Sequence, residues 1–306
     1  MKVLLTGGAG FIGSHVSKLL LDAKNEVVIL DNLSKGKKES VDPRAKLIIG
    51  DIADPEKSEA ALRGVDAVIH MAGLIVVPES VKNPILYAKN NVTGTVSFLE
   101  SMRKAGVKKI IFSSSACVYG TPDKLPITED AAICPDNPYG ATKAAVETYL
   151  QTYNAVYGFD STILRYFNPY GPGEMHKPET HAIPNFIKSA LAKKPIPLYW
   201  GGGQIRDFIY IDDLAQAHID VLNLSGHQTF NIGTEKGVKV KDVLDIIFKI
   251  LGYKVPISNL GKRPGDVQAN YASSKKLHDT VGWTAKISLE VGLKKTIDYY
   301  KQAYKA

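Results

Sequence analysis

Cysteine is nearly absent from this chain. Only Cys117 and Cys134 occur in 306 residues, too few for a disulfide framework or a cysteine-rich metal centre, and the expectation is a reducing, cytoplasmic setting with no metal. Long hydrophobic runs are also missing. No apolar stretch approaches the roughly 20 residues that span a bilayer, so no membrane partner is expected. The opening MKVLLTGGAGFIG has a lysine and a short apolar run, but a glycine turn follows at once, and it reads as a first strand rather than a leader. Acidic residues are outnumbered, 31 against 38 Lys+Arg, which leaves a net charge of +7. The lysines lie scattered in short clusters, the pattern of a solvated surface and not of a nucleic-acid face. Low-complexity segments and internal repeats are lacking too. What remains is an ordinary globular composition, 44% hydrophobic and 23% charged, long enough for one large or two unequal domains. A last absence is local: SSSACVY at 113–119 crowds three hydroxyls together, yet Ala116 and Cys117 follow them where no carboxylate stands.

What is present begins with a repeating order. KVLLT (2–6), EVVIL (26–30), KLIIG (46–50), DAVIH (66–70) and KKIIF (108–112) are near-continuous apolar runs, as in a parallel sheet buried on both faces. FIGSHVSKLLLDAK, PEKSEAALRG and one long segment from Ser80 to Ala105 read as helices between them. Such alternation predicts an α/β doubly wound parallel sheet with right-handed crossovers. A helix from Pro138 to Gly158 and a sixth strand at 161–167 continue it. After Asn168 the pattern loosens, with helices at IPNFIKSALAKK and VKDVLDIIFKILG, strands at IPLYW and TFNIG, and a C-terminal helix. A boundary near 168 is expected, with 1–168 forming a dinucleotide-binding domain of the Rossmann type. Part of 205–235 returns to that domain, and 169–306 is mainly a smaller, discontinuous substrate domain.

TGGAGFIG lies between the first strand and the first helix. Gly7, Gly10 and Gly13 leave out Cβ where backbone must approach a pyrophosphate at a helix N-terminus, and Gly8 completes a G-x-G-x-x-G match. Asp31 ends the second strand 18 residues beyond Gly13, close to the spacing of a carboxylate that grips the ribose hydroxyls. Its charge favours NAD over NADP, although Lys35, Lys37 and Lys38 stand near enough to neutralise a phosphate. Asp51 and Ile52, then Met71, Ala72 and Gly73, close the next two strands at the same edge. Asp51 reads either as a contact to adenine or as a plain turn residue. Tyr139 and Lys143 stand four apart at the start of a helix and share one face. A tyrosine of ordinary pKa, about 10, is a poor base at neutral pH. A neighbouring ammonium and a nicotinamide cation favour its phenolate, which requires roughly 4 kcal/mol for a drop of about 3 units.

With these residues in place, the whole chain resembles the extended short-chain dehydrogenase/reductase family, and within it the 4-epimerases of UDP-glucose and UDP-galactose. The resemblance is carried by TGGAGFIGSH, ILDNLSKG, GDI, HMAGL, NNVTGT, FSSSACVYG, PYGATK, RYFNPYGP, RDFIYIDDLA and KRPGDV. It implies NAD as cofactor, a UDP-sugar as substrate and a homodimer formed by helices 80–105 and 138–158. It implies that Tyr139 takes the proton from the sugar O4, that Lys143 binds the nicotinamide ribose and that Ser115 bonds the same O4. Phe11, Ile12, Asn32, Leu33, Ser34, Gly36, Asn90, Ser113 and Phe167 would join the cofactor site. Asn168, Arg206, Arg263, Asp266 and Asn270 would meet the substrate, with 182–187 and IPLYW sheltering the uracil. Two local readings stand beside these roles, an Arg206–Asp207 ion pair and a plain turn at Arg263–Asp266. Related dehydratases carry Asp-Glu, and related decarboxylases a glutamate, where this chain has Ala116 and Cys117. By that resemblance the site oxidises C4 and reduces it again without eliminating in between.

The chain departs from the pattern at two positions. Ile75 stands where many epimerases have a lysine, and Asn270 where some have a pocket-restricting tyrosine, which leaves room for an N-acetyl group. The alternatives are therefore a UDP-N-acetylhexosamine 4-epimerase, and a UDP-glucuronate 4-epimerase or decarboxylase. A non-catalytic NAD-binding regulator is a different class, and it would be expected to have a broken Ser115, Tyr139 and Lys143 set.

Overall fold

The computed structural model describes residues 1–174, 181–262 and 267–303. The first half runs β1 (Lys2–Thr6), α1 (Phe11–Asp22), β2 (Glu26–Asp31), β3 (Lys46–Ile49), α2 (Pro55–Leu62) and β4 (Ala67–His70). It continues through α3 (Val77–Lys82), α4 (Pro84–Tyr87), α5 (Gly94–Ala105), β5 (Lys109–Ser115), α6 (Pro138–Tyr157) and β6 (Asp160–Tyr166). The second half holds β7 (Asn168–Tyr170), α7 (Ala182–Leu191), β8 (Ile196–Leu198), β9 (Ile205–Arg206), β10 (Phe208–Tyr210), α8 (Ile211–Asp220) and β11 (His227–Ile232). Then follow β12 (Val238–Lys239), α9 (Val240–Leu251), β13 (Ile257–Asn259), β14 (Ala269–Asn270), α10 (Lys275–Val281) and α11 (Leu289–Ala303).

Seven strands form one parallel sheet in the order β11-β6-β5-β4-β1-β2-β3. Each apolar run serves both faces. In β1, Val3 and Leu5 join the core under α1 and α8, while Leu4 joins the core under α2, α5 and α6. That two-sided burial explains why these strands read as unbroken hydrophobic runs rather than alternating ones. The chain leaves β1 toward β2 on one side and returns at β4 on the other. This reversal opens a crevice at the strands' carboxyl ends, where doubly wound folds bind ligands. β11, from the second half, pairs with β6 from Ser161–His227 to Tyr166–Ile232.

The single helix expected from Ser80 to Ala105 is broken. α3 ends at Lys82, with Asn83 as its cap, because Pro84 has no amide hydrogen and its ring crowds the preceding turn. A π-helical turn, Ala88–Thr93, then joins α4 to α5. Such turns are uncommon and accumulate at functional sites. No helix among the described residues is long and apolar enough to cross a membrane.

Candidate active site

The turn after β1 is shaped by what its glycines lack. Gly7 has φ +71°, and a Cβ there would lie 2.8 Å from the amide nitrogen of Ala72. Gly13 passes so near the turn that its Cβ would meet Gly8 Cα at 2.6 Å. The N-terminus of α1 is thus drawn against the strand edge and opens onto a cleft of about 1350 Å³. Asp31 is held there in advance: its carboxylate accepts from the amides of Ala9 at 3.0 Å and Leu33 at 2.8 Å. Asn32 donates to Asp51 at 2.8 Å and ties the ends of the next two strands together. A Cβ-free cradle at a helix N-terminus with a fixed carboxylate 18 residues beyond it fits a dinucleotide. The cleft is walled by Gly7, Gly10, Phe11, Ile12, Gly13, Asp31, Asn32, Ser34, Gly36, Asp51, Ile52, Met71, Ala72, Gly73, Asn90, Ser113 and Phe167. Leu33 is not on that wall; with φ 56° it turns at the rim and contributes its amide to Asp31.

The other wall carries Ser115, Tyr139 and Lys143. Asn137 caps α6 by accepting from the Gly140 amide at 2.9 Å, and Pro138 takes the first helical position. This cap starts the helix so that Tyr139 and Lys143 both face the cleft, at 8% and 4% exposure. The Lys143 ammonium donates to the Ser113 carbonyl at 2.7 Å and lies 5.9 Å from the Tyr139 ring centroid. Burial pushes Lys143 down to about 8, against the field of Glu147 and then Cys117. Burial likewise pushes the Tyr139 phenol above its ordinary value, reinforced by Cys117 and opposed by a hydrogen bond with Ser115. In the protein alone the phenol is therefore raised, where the neighbouring ammonium and the cofactor cation were expected to depress it. Ser115 ends β5 and accepts from the Cys117 amide at 3.2 Å, starting a short turn through Ala116 and Cys117. Both turn residues line the cleft, so the missing carboxylates are missing from its wall.

Several buried polar residues hold this wall in place, and the sequence reading passed over them. Asn91, in the π-helical turn, accepts from Leu74 N at 2.8 Å and donates to Thr142 Oγ1 at 3.1 Å, which clamps the segment after β4 to α6. Thr95 donates to Asn91 O at 2.7 Å, so its oxygen accepts from His70 Nε2 at 2.9 Å. His70 Nδ1 also bonds Thr6 Oγ1 at 2.7 Å. Burial followed by the Lys143 charge pushes His70 down to about 3, so the imidazole is neutral at pH 7. The doubled asparagine of NNVTGT was the only local signal of this hub.

The second half closes the cleft. Asn168, Arg206 and Asn270 line it, whereas Arg263 and Asp266 lie outside the described residues. Arg206 donates to Ile205 O at 2.8 Å and Val267 O at 2.7 Å. Asp207 does not pair with it. That fully buried carboxylate accepts from Thr234 N at 2.7 Å, Thr234 Oγ1 at 2.6 Å, Ala272 N at 3.1 Å and Glu235 N at 3.2 Å. A side cavity of about 240 Å³ adjoins Asn168 and Arg206, between Ile183 and Phe186 of α7 and Leu198, Tyr199 and Phe208. Ile75 and Lys82 both line the main cleft.

Doubly wound proteins of this geometry bind a dinucleotide across the strand ends and react a second ligand against it. Comparison with known proteins sharpens the class. The model of the NAD dependent epimerase/dehydratase family matches residues 3–233, and the chain belongs to that family. It is 41% identical over 305 residues to a UDP-glucose 4-epimerase of Lactobacillus helveticus, covering 94% of this chain and 92% of the relative. A UDP-glucose 4-epimerase of Thermotoga maritima, solved with UDP-glucose, superposes with a TM-score of 0.96 at 36% identity, covering 99% of this chain and 100% of that one. A UDP-N-acetylglucosamine 4-epimerase of Methanobrevibacter ruminantium M1, solved with UDP-N-acetylmuramic acid, superposes with 0.94 at 34% identity, covering 99% and 98%.

Proposed function

We propose that this protein interconverts UDP-galactose and UDP-glucose by NAD-dependent oxidation and re-reduction at C4 of the sugar. The observation that carries the reading is the pairing of Ser115, Tyr139 and Lys143 around one cleft whose wall holds Ala116 and Cys117 instead of carboxylates. Bound NAD supplies the hydride acceptor and donor for C4. Tyr139 takes the proton of O4 and later returns it, and Ser115 hydrogen-bonds the same oxygen. Lys143 holds the nicotinamide ribose and favours the tyrosinate. With no acid or base beside Ser115 for eliminating water, the 4-keto sugar has only re-reduction open to it. Residues 1–168 with β11 form the cofactor unit. Most of 169–306 grips the nucleotide, with Asn168 and Arg206 toward the diphosphate and the side cavity toward the uracil. By resemblance Arg263 and Asp266, which lie outside the described residues, would add to that grip.

The purified protein incubated with UDP-galactose and no added cofactor is expected to form UDP-glucose by NMR, and Tyr139→Phe to form none. Absence of product even with added NAD would overturn the reading. Asn270 supports a second substrate pair. It is buried against the cleft, its Oδ1 has no partner among the described residues, and it is far smaller than a tyrosine. UDP-N-acetylgalactosamine is therefore turned over as well, and no detectable N-acetyl turnover would remove this part. Exposed Val81, Ile85, Leu86, Tyr149, Val156 and Tyr157 on α3, α4 and α6 support a homodimer through those helices. Sedimentation as a monomer would contradict it. The same reading assigns the protein to the cytoplasm and to galactose metabolism.

A further inference from the structure

Glu147 lies one turn beyond Lys143 on α6 and is 7% exposed. Its carboxylate accepts from Ser114 Oγ at 2.5 Å, and from Arg165 Nε at 3.1 Å and Nη2 at 2.6 Å. Arg165 Nη1 donates in turn to Tyr119 Oη at 2.7 Å and Glu129 O at 3.2 Å, and Tyr119 donates to Asn231 Oδ1 at 2.7 Å. One carboxylate on the catalytic helix is thereby tied to β5 and β6, and through them to the segment at Glu129 and to β11. Its contact on β5 falls at a telling place. Ser114 stands between Ser113, whose carbonyl receives Lys143, and Ser115, which bonds Tyr139. The Ser114–Glu147 bond therefore fastens α6 to β5 at the serine between those two. A buried ion pair is poor stabilisation, since a well-packed apolar pair of similar volume commonly does as well or better. Its presence directly behind the reactive groups calls for another reason.

We infer that Glu147 is a positioning residue for the Tyr139–Lys143 pair, locking α6 to β5 through Ser114 and to β6 through Arg165, and presenting a fixed negative charge one turn behind the lysine. This rests on the proposed reaction only for its turnover assay. The charged and titratable groups that face Lys143 are Tyr139 and Glu147 on its own helix, Cys117 after β5 and His70 on β4. Facing Glu147 are Arg165 and His227. Only Glu147 and Cys117 raise Lys143. Neutralising Glu147 lets the lysine lose its proton at lower pH, and Tyr139 then loses a cation that favours its phenolate.

The test is the double variant Glu147→Gln/Arg165→Met, which removes both charges of the buried ion pair together, measured as the NAD-loaded protein. It is expected to fold with a near-native melting temperature. Its kcat on UDP-galactose should fall about 10- to 100-fold at similar KM, the scale of a small misplacement of reacting groups. The ultraviolet ionisation midpoint of Tyr139, assigned by subtracting Tyr139→Phe, should move to higher pH. A purely structural pair would lower the melting temperature and leave both readouts unchanged per folded molecule, and that result overturns the inference. If the double variant fails to fold, Ser114→Ala decides: a lower kcat at native stability supports the lock, and a native kcat overturns it. If the wild type proves inactive on UDP-galactose, the proposed reaction fails while the Tyr139 midpoint still decides this inference.

Discussion

Replacing Lys143 by methionine is expected to abolish turnover and at the same time to raise the melting temperature of the cofactor-free protein at neutral pH. The lysine is 4% exposed, and burial lowers its pKa from 10.5 to about 8. At 1.36 kcal/mol per unit, the folded protein carries about 3 kcal/mol of strain for keeping that ammonium charged. Methionine fills much of the same volume without the charge, but it forfeits the bond to the Ser113 carbonyl, about 1 kcal/mol. The net gain is about 2 kcal/mol. For 306 residues, with an unfolding entropy of about 2.1 cal/mol/K per residue, that is about 3 °C. The pH dependence distinguishes this cause from mere improved packing. A depressed lysine is charged in both states below about pH 8, so the wild type bears the full penalty there. Between about 8 and 10.5 the folded lysine is neutral while the unfolded one still binds a proton, so wild-type stability relative to the variant rises through that window. Differential scanning calorimetry should show the advantage of Lys143→Met at pH 7 and its near-disappearance by about pH 10, close to the ordinary lysine value. A destabilised variant at pH 7, or an advantage that does not change with pH, would falsify the reasoning.

Three further outcomes follow from single contacts. Gly7→Ala places a Cβ 2.8 Å from the Ala72 amide at φ +71°; loss of co-purifying NAD, read from the spectrum of the denatured protein, is expected along with about 1–3 kcal/mol of destabilisation. Asp207→Asn turns an amide N–H toward one of four donors. It should lower stability by about 1–3 kcal/mol and raise KM for the UDP-sugar, since Asp207 anchors the strand next to Arg206. Asn270→Tyr should suppress turnover of UDP-N-acetylgalactosamine while sparing UDP-galactose, and equal losses on both substrates would count against Asn270 as the selector.

Much of the fold was legible because its determinants are local. Unbroken apolar runs such as KVLLT and DAVIH required burial on both faces, and the parallel sheet supplies it. The glycines at 7, 10 and 13 and the carboxylate at 31 mark the strand–turn–helix in which they lie. The 80–105 segment misled for a local reason of the opposite kind. Its apolar spacing looked helical throughout, and Pro84, which stops α3, was outweighed by that periodicity. The π-helical turn carries no compositional mark beyond two adjacent asparagines.

The site divides along the same line. Residues that touch a ligand by resemblance could be named because motifs record them: Tyr139, Lys143 and Ser115 were placed before any geometry was known. The residues that hold them could not. Glu147 at the fourth position after Lys143 reads as an exposed helix residue, and Arg165 as a polar interruption of a strand. Their partners lie 33 and 18 residues away at Ser114 and in each other. Asp207 shows the limit most clearly. Beside Arg206 it looked like half of an ion pair, yet its carboxylate is engaged by amides 27, 28 and 65 residues distant. Neutral donors, oriented by β11's end and β14's exit, fill that carboxylate's hydrogen bonds without an arginine, although burial still holds its pKa above the ordinary carboxylate value. A buried carboxylate is therefore a poor guide to its sequence neighbour: what it pairs with is decided by which donors the fold brings to it after the strands have closed.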